Sequence, residues 1–153
     1  MKALLVPVDG PPKVVDLADG GGIRFMRSLR ALIGTECAER IWITDRWEAW
    51  LDEDGAATGK PVNQAATRVA HAFGAQFSLR GTVVITGLDK DTTASATLTP
   101  SQVDALLRRI SGAPADDELT PSRRGTFALA FLAVTRGPGR SRERKIVAIA
   151  STR

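Results

Sequence analysis

Residues 81–112 read GTVVITGLDKDTTASATLTPSQVDALLRRISG, and the elements at the two ends of this stretch decide the fold class. Gly81 to Gly87 is a β-branched run between glycines, the pattern of an inner strand, because Val, Ile and Thr pack well on a pleated surface. The other end is a helix whose start is written out in full. Thr99 is the cap, Pro100 takes the first helical position, and Gln102 falls three residues after the cap, completing a capping box. Val103, Leu106, Leu107 and Ile110 form one apolar face. Arg108 and Arg109 complement the dipole of the last turn before Gly112 ends it.

Working outward, Lys2–Val8 and Lys13–Leu17 read as two short strands joined at Asp9-Gly10-Pro11-Pro12. After Gly20-Gly21-Gly22, apolar residues at Ile23, Met26, Leu29 and Ile33 have helical spacing, with Gly34 as the stop. Arg40–Thr44 reads as a strand and Trp47–Leu51 as another, turned by Asp52-Glu53-Asp54-Gly55. A second helix runs from Asn63 as N-cap to Gly74, burying Ala66, Val69, Ala70 and Phe73. Strands and helices alternate without a sustained βαβ rhythm. The expectation is therefore α+β, with a mixed or antiparallel sheet and about three helices. Beyond it, Phe127–Thr135 and Ile146–Ala150 are apolar runs joined by a basic loop, read as a C-terminal β-hairpin, although periodicity alone also allows 126–135 to be a buried helix. The chain divides into a core domain over 1–111, a linker over 112–125 rich in Pro, Asp and Ser, and a basic hairpin over 126–153 packed on the same domain.

With 153 residues, one domain has room for a real core. No apolar run approaches the roughly 18 to 20 residues of a membrane span, and prolines break the short apolar N-terminus too early for a signal peptide. A cytoplasmic protein with no membrane partner is expected. The lone Cys37 excludes an intrachain disulfide and a multi-cysteine zinc site, and neither metal nor cofactor is expected. The oligomeric state is left open.

Charge is the most informative functional feature. Thr120–Arg153 holds eight of the 21 basic residues and one of the 17 acidic ones, leaving 13 and 16 for the first 119, so the net charge is about −3 there and +7 after. Arg136, Arg140, Arg142, Arg144 and Lys145 lie in or beside RGPGRSRERK, where a Gly-Pro-Gly bend would present arginines able to fork onto phosphate. The competing reading is a solvated charge run that keeps apolar strands from pairing edge to edge.

Other candidates are weaker. Trp42, Trp47 and Trp50 fall within nine residues and suit either a stacking or partner surface or core packing. Asn63, Gln64 and Thr67 share the start of a helix. His71, the single histidine, sits near that helix's apolar face with no nucleophile tied to it, so no catalytic residue is assigned. Gly55-Ala-Ala-Thr-Gly59-Lys60 fails as a phosphate loop, because its glycines are too close and Pro61 replaces the magnesium-binding hydroxyl.

Four stretches in order, MKALLVPVDGPPKVVDL, WEAWLDEDGAATGKPVNQAAT, GTVVITG and LTPSQVDALLRRI, resemble a family of short domains of unknown function carried by bacteriophages, plasmids and actinobacterial genomes. The family pattern G-x-P-x-N-x-x-A-T is met by Gly59, Pro61, Asn63, Ala66 and Thr67, and the likeness covers about residues 1–111. The resemblance implies a mobile-element accessory protein and brings no activity with it. The expected function is a non-enzymatic accessory protein contacting nucleic-acid phosphates through the C-terminal basic hairpin. The rivals are a phage or plasmid interaction or anti-defence factor acting on a host protein or small ligand, and an enzyme with a polar site near Asn63 and His71.

Overall fold

Val83, Val84, Ile85 and Thr86 are all fully buried, so the strand they form is covered on both faces. In the computed structural model, which describes residues 1–18 and 22–112, that strand is the centre of an antiparallel sheet. In chain order the elements are β1 (Lys2–Val6), β2 (Lys13–Asp16), α1 (Gly22–Ile33), β3 (Ala38–Trp42), β4 (Trp47–Asp52), α2 (Gln64–Ala72), β5 (Val83–Leu88), β6 (Ser95–Ala96) and α3 (Pro100–Ile110). The strand order is β2-β1-β5-β4-β3, with β6 pairing to Gly87 and Leu88 at the end of β5. The α+β expectation holds among the described residues, with three helices and six antiparallel strands. The linker over 112–125 and the hairpin over 126–153 lie outside the described residues, save Gly112.

Alternation along the strands divides the interior into two layers. Leu4, Val6, Ile41, Trp47, Ala49, Leu51, Val83 and Ile85 face α2 and α3, where Ala66, Val69, Ala70, Phe73, Val103, Leu106 and Ile110 close the larger core. Ala3, Ala38, Trp50 and Val84 face α1, which contributes Phe25, Leu29 and Ile33. The face of α1 is therefore set by Phe25, Leu29 and Ile33. Ile23, expected inside, is 78% exposed in the first turn.

Local chemistry explains the boundaries. β1 stops at Val6 because Pro7 has no N–H to give the ladder. β3 ends at Trp42, two residues before the expected Thr44, because the Thr44 hydroxyl accepts from the N–H groups of Arg46 and Trp47 and closes a turn. The capping box of α3 is complete, with the Gln102 N–H donating to Thr99 Oγ1 at 3.3 Å and the Thr99 N–H to Gln102 Oε1 at 2.8 Å. Asp52–Gly55 was expected to turn a hairpin. Instead it opens a wound segment over 53–59, and β4 finds its partners in β3 and β5. The short β6 had no sequence signature. It lies so close on β5 that a Cβ at Gly87 would stand 3.0 Å from the Ala96 carbonyl oxygen.

Candidate functional site

The residues singled out in the sequence do not form one surface. Trp47 and Trp50 are 2% and 5% exposed and lie in the two different core layers. Trp47 meets Phe73 edge-on at 5.3 Å, and Trp50 meets Phe25 edge-on at 5.5 Å. Neither ring is available to a partner, which corrects the surface reading for both. Trp42 is half-buried on the edge strand β3.

Asn63 is fully buried, and each of its side-chain atoms has a structural task. Its Oδ1 accepts from the Ala66 N–H at 3.0 Å as the cap of α2, and its Nδ2 donates to the carbonyls of Val6 and Gly81, both at 2.9 Å. The buried Thr67 hydroxyl accepts from the Leu79 N–H at 3.0 Å. Gln64 is exposed beside them. His71 is also exposed, eight residues after the cap and so about 12 Å along the helix, with Nε2 donating to the Phe77 carbonyl at 3.0 Å. Through Asn63 and Thr67 the motif Gly59, Pro61, Asn63, Ala66, Thr67 thus docks α2 onto the end of β1 and the Leu79–Gly81 segment ahead of β5. It offers no open polar site. Arg136, Arg140, Arg142, Arg144 and Lys145 lie outside the described residues.

Two groupings emerge that sequence reasoning missed. The first is built on Glu48, fully buried in the middle of β4. Register places Trp42, Glu48 and Thr86 in one row across β3, β4 and β5, and Arg40, Trp50 and Val84 in the next. Glu48 Oε1 accepts from Trp50 Nε1 at 3.1 Å, from Thr86 Oγ1 at 2.8 Å and from the Ser95 hydroxyl. Its Oε2 faces Arg40 Nη1 at 3.4 Å. The Arg40 guanidinium lies 5.8 Å from the Trp42 ring centre and 5.7 Å from that of Trp50, and donates to the Thr93 carbonyl at 3.0 Å. Thr93 has φ +56°, a backbone region that a β-branched residue occupies only when its surroundings hold it there. A buried carboxylate with this many donors is a clamp that fixes β6 and the 89–94 loop to the sheet. The signal was Glu48 itself, an acid in a strand flanked by Trp47, Ala49 and Trp50.

The second grouping is a cavity of about 260 Å³ on the opposite face, at the β3 edge. Ile41, Leu51, Phe77 and Leu79 give it apolar walls, and Glu39, Asp52, Glu53 and Arg80 bring charge. The Asp52 carboxylate is tied to Lys60 Nζ at 2.6 Å and receives the Thr35 hydroxyl at 2.8 Å. Burial pushes its carboxyl up, but the hydrogen bonds from Lys60 and Thr35 hold it below the ordinary aspartate value. The lysine of the Gly55–Lys60 stretch is thereby committed to a structural ion pair. Glu39 differs. It is half-buried and has no hydrogen bond or ion pair among the described residues. Burial, then the neighbouring Glu53 and Asp52 carboxylates, raise it to about 7.

Among the described residues, no group of three or more His, Cys, Asp or Glu side chains is arranged to hold a metal ion, and no helix is long and apolar enough to cross a membrane. No curated protein and no solved structure matches the chain. One family model does, that of a domain of unknown function, DUF3846, and it covers residues 1–111, nearly all of the described fold. The motif that seats Asn63 under the sheet and the capped helix α3 both fall within that span, and the chain belongs to the DUF3846 family.

Proposed function

We propose that this chain is a non-enzymatic accessory protein, of the kind mobile elements carry, that contacts nucleic-acid phosphates through the basic residues of its C-terminal segment. The distribution of charge carries this reading. Residues 1–112 contain 13 basic and 13 acidic side chains, so the whole formal charge of +4 belongs to residues 113–153, with eight basic against four acidic. Several cations of the domain are also engaged internally. Lys2 pairs with Asp16, Arg40 with Glu48 and Lys60 with Asp52, while Arg68 donates to the Ile110 carbonyl at the end of α3.

An Arg-rich run suits phosphate because the guanidinium fork matches its oxygens, and such contacts position a protein without reading bases. Little sequence preference is expected. The Asn63 motif gives no support to an enzymatic site, since its polar atoms are spent on the fold. Interaction through the tryptophans draws less support, because Trp47 and Trp50 are core residues. The test is binding of the full chain to labelled oligonucleotides across a salt series, beside a variant with Arg140, Arg142 and Arg144 replaced by Ala. Loss of salt-dependent binding in the variant supports the reading, and unchanged binding removes it.

A further inference from the structure

The cavity at the β3 edge combines features that the fold itself does not require. Its walls are apolar, with Ile41 and Leu51 from the sheet and Phe77 and Leu79 from the segment leading into β5. Glu39, directly across from Leu51 in the β3–β4 register, brings a carboxylate into this surface. Of the two cations nearby, only Lys60 is held in an ion pair, and neither makes one with Glu39 among the described residues. Lys60 is bonded to Asp52 at 2.6 Å, and Arg80 Nη1 donates to the Lys60 carbonyl at 2.9 Å. A half-buried carboxylate with no partner among the described residues is costly, and it is relieved by an added cation.

We propose that this cavity binds a small aliphatic ammonium ion, its alkyl body against Ile41, Phe77 and Leu79 and its cationic head at the Glu39 carboxylate. Charge complementarity selects the class. A neutral ligand of the same shape leaves Glu39 unpaired, and an anion meets Glu39, Asp52 and Glu53 together. Size selects a short chain, because about 260 Å³ lies just below the roughly 300 to 1,000 Å³ of pockets for drug-sized ligands. Its lining residues all fall within positions 39–80, whereas nucleic-acid contact rests on the charge of residues 113–153, so the failure of one reading is distinguishable from the failure of the other.

The binding should depend on pH. Among the described residues, the charged groups that share this cavity with Glu39 are Asp52 and Glu53 from the end of β4 and its turn and Arg80 from the segment ahead of β5, with Lys60 paired to Asp52. Glu39 is the carboxylate raised into the neutral range, to about 7. A group titrating there becomes about tenfold more ionised between roughly pH 6 and pH 8, while an alkylammonium stays charged.

The experiment is a proton–nitrogen correlation NMR titration of the full chain with n-hexylammonium, and in parallel with n-hexanol. Expected are saturable shifts at the amides of residues 39–41, 51–53 and 77–80, with affinity rising severalfold, up to about tenfold, from pH 6 to pH 8. Hexanol should bind at least about tenfold more weakly. Glu39→Gln should reduce hexylammonium binding to the hexanol level and abolish its pH dependence. Ala56→Trp, at an exposed position on the cavity rim, should block the site with Glu39 intact. Equal binding of hexanol and hexylammonium, affinity indifferent to pH, undiminished binding by either variant, or no saturable shift overturns the proposal.

Discussion

Asn63 Nδ2 donates to the carbonyl oxygen of Val6 at 2.9 Å, joining the cap of α2 to the last residue of β1 across 57 positions of sequence. The same amide nitrogen reaches Gly81 just ahead of β5, and Oδ1 caps the helix, so one side chain locks three elements together. Asn63→Ala removes the cap, worth about 1 kcal/mol, and leaves two buried carbonyls unsatisfied at about 1 kcal/mol each. Chemical denaturation should show a loss of about 2 to 4 kcal/mol. Asn63→Asp keeps the cap acceptor but loses both donors, and should do no better. A loss under about 0.5 kcal/mol for either variant would mean that the motif is kept for something other than the fold.

Glu48 gives a second test of structure against chemistry. Removing a buried carboxylate strands Arg40, Thr86, Ser95 and the Trp50 indole, so Glu48→Ala should cost about 3 to 5 kcal/mol. Glu48→Gln keeps an oxygen that accepts from Trp50 and Thr86 and should cost clearly less. Equal losses in urea denaturation would assign the stabilisation to charge pairing with Arg40 rather than to the hydrogen-bond clamp.

Helix α3 was legible almost to the residue, because its stop and start signals are local. The capping box, Pro100 and the Val103, Leu106, Ile110 face all lie within one dozen residues. Asn63 was legible as a cap for the same reason. Its two donor bonds were not, since they depend on where β1 and β5 lie in space. Glu48 and Glu39 were missed because an acid in a strand reads as a solvent-facing residue. Only the pairing of Glu48 with Thr86, and of Glu39 with Leu51, shows that neither is simply on the surface. Sequence spacing left the tryptophans open between a surface group and core packing, because it does not reveal that β4 is buried on both sides; Trp47 and Trp50 are core residues.

For α3 itself, Leu106 is fully buried, so Leu106→Ala should cost about 2 to 5 kcal/mol through lost transfer energy and the cavity left behind. Thr99→Ala should cost about 1 kcal/mol, the usual loss of an N-cap. Thermal melts of the two variants should differ accordingly. Equal shifts would mean that α3 is held by its cap rather than by its core face.

The raised Glu39 fixes the sign of one pH effect. Its ordinary value is 4.5 and its value in the fold is about 7, so the folded state holds a proton that the unfolded chain releases between those limits. Glu39 therefore favours the fold at the acid side, and that contribution declines as pH rises from about 4.5 to about 7. Asp52, held low, acts in the opposite direction and only at more acidic pH. The melting temperature of Glu39→Gln minus that of the wild type should be small near pH 5 and grow until about pH 7. A difference that stays constant across this range would show that Glu39 ionises as freely as an exposed glutamate.

Phosphate contact is tested directly by fluorescence anisotropy of the full chain with a labelled duplex across a salt series. Phosphate contact predicts binding at low salt that weakens linearly on log–log axes, with a slope of about −0.9 for each contact. Replacing Arg140, Arg142 and Arg144 together with Ala should flatten that slope by roughly 2 to 3 units, with the melting temperature unchanged. No binding by the wild type at low salt, or the same slope in the triple variant, would rule out phosphate contact through these arginines and leave the basic run as a solvated connector.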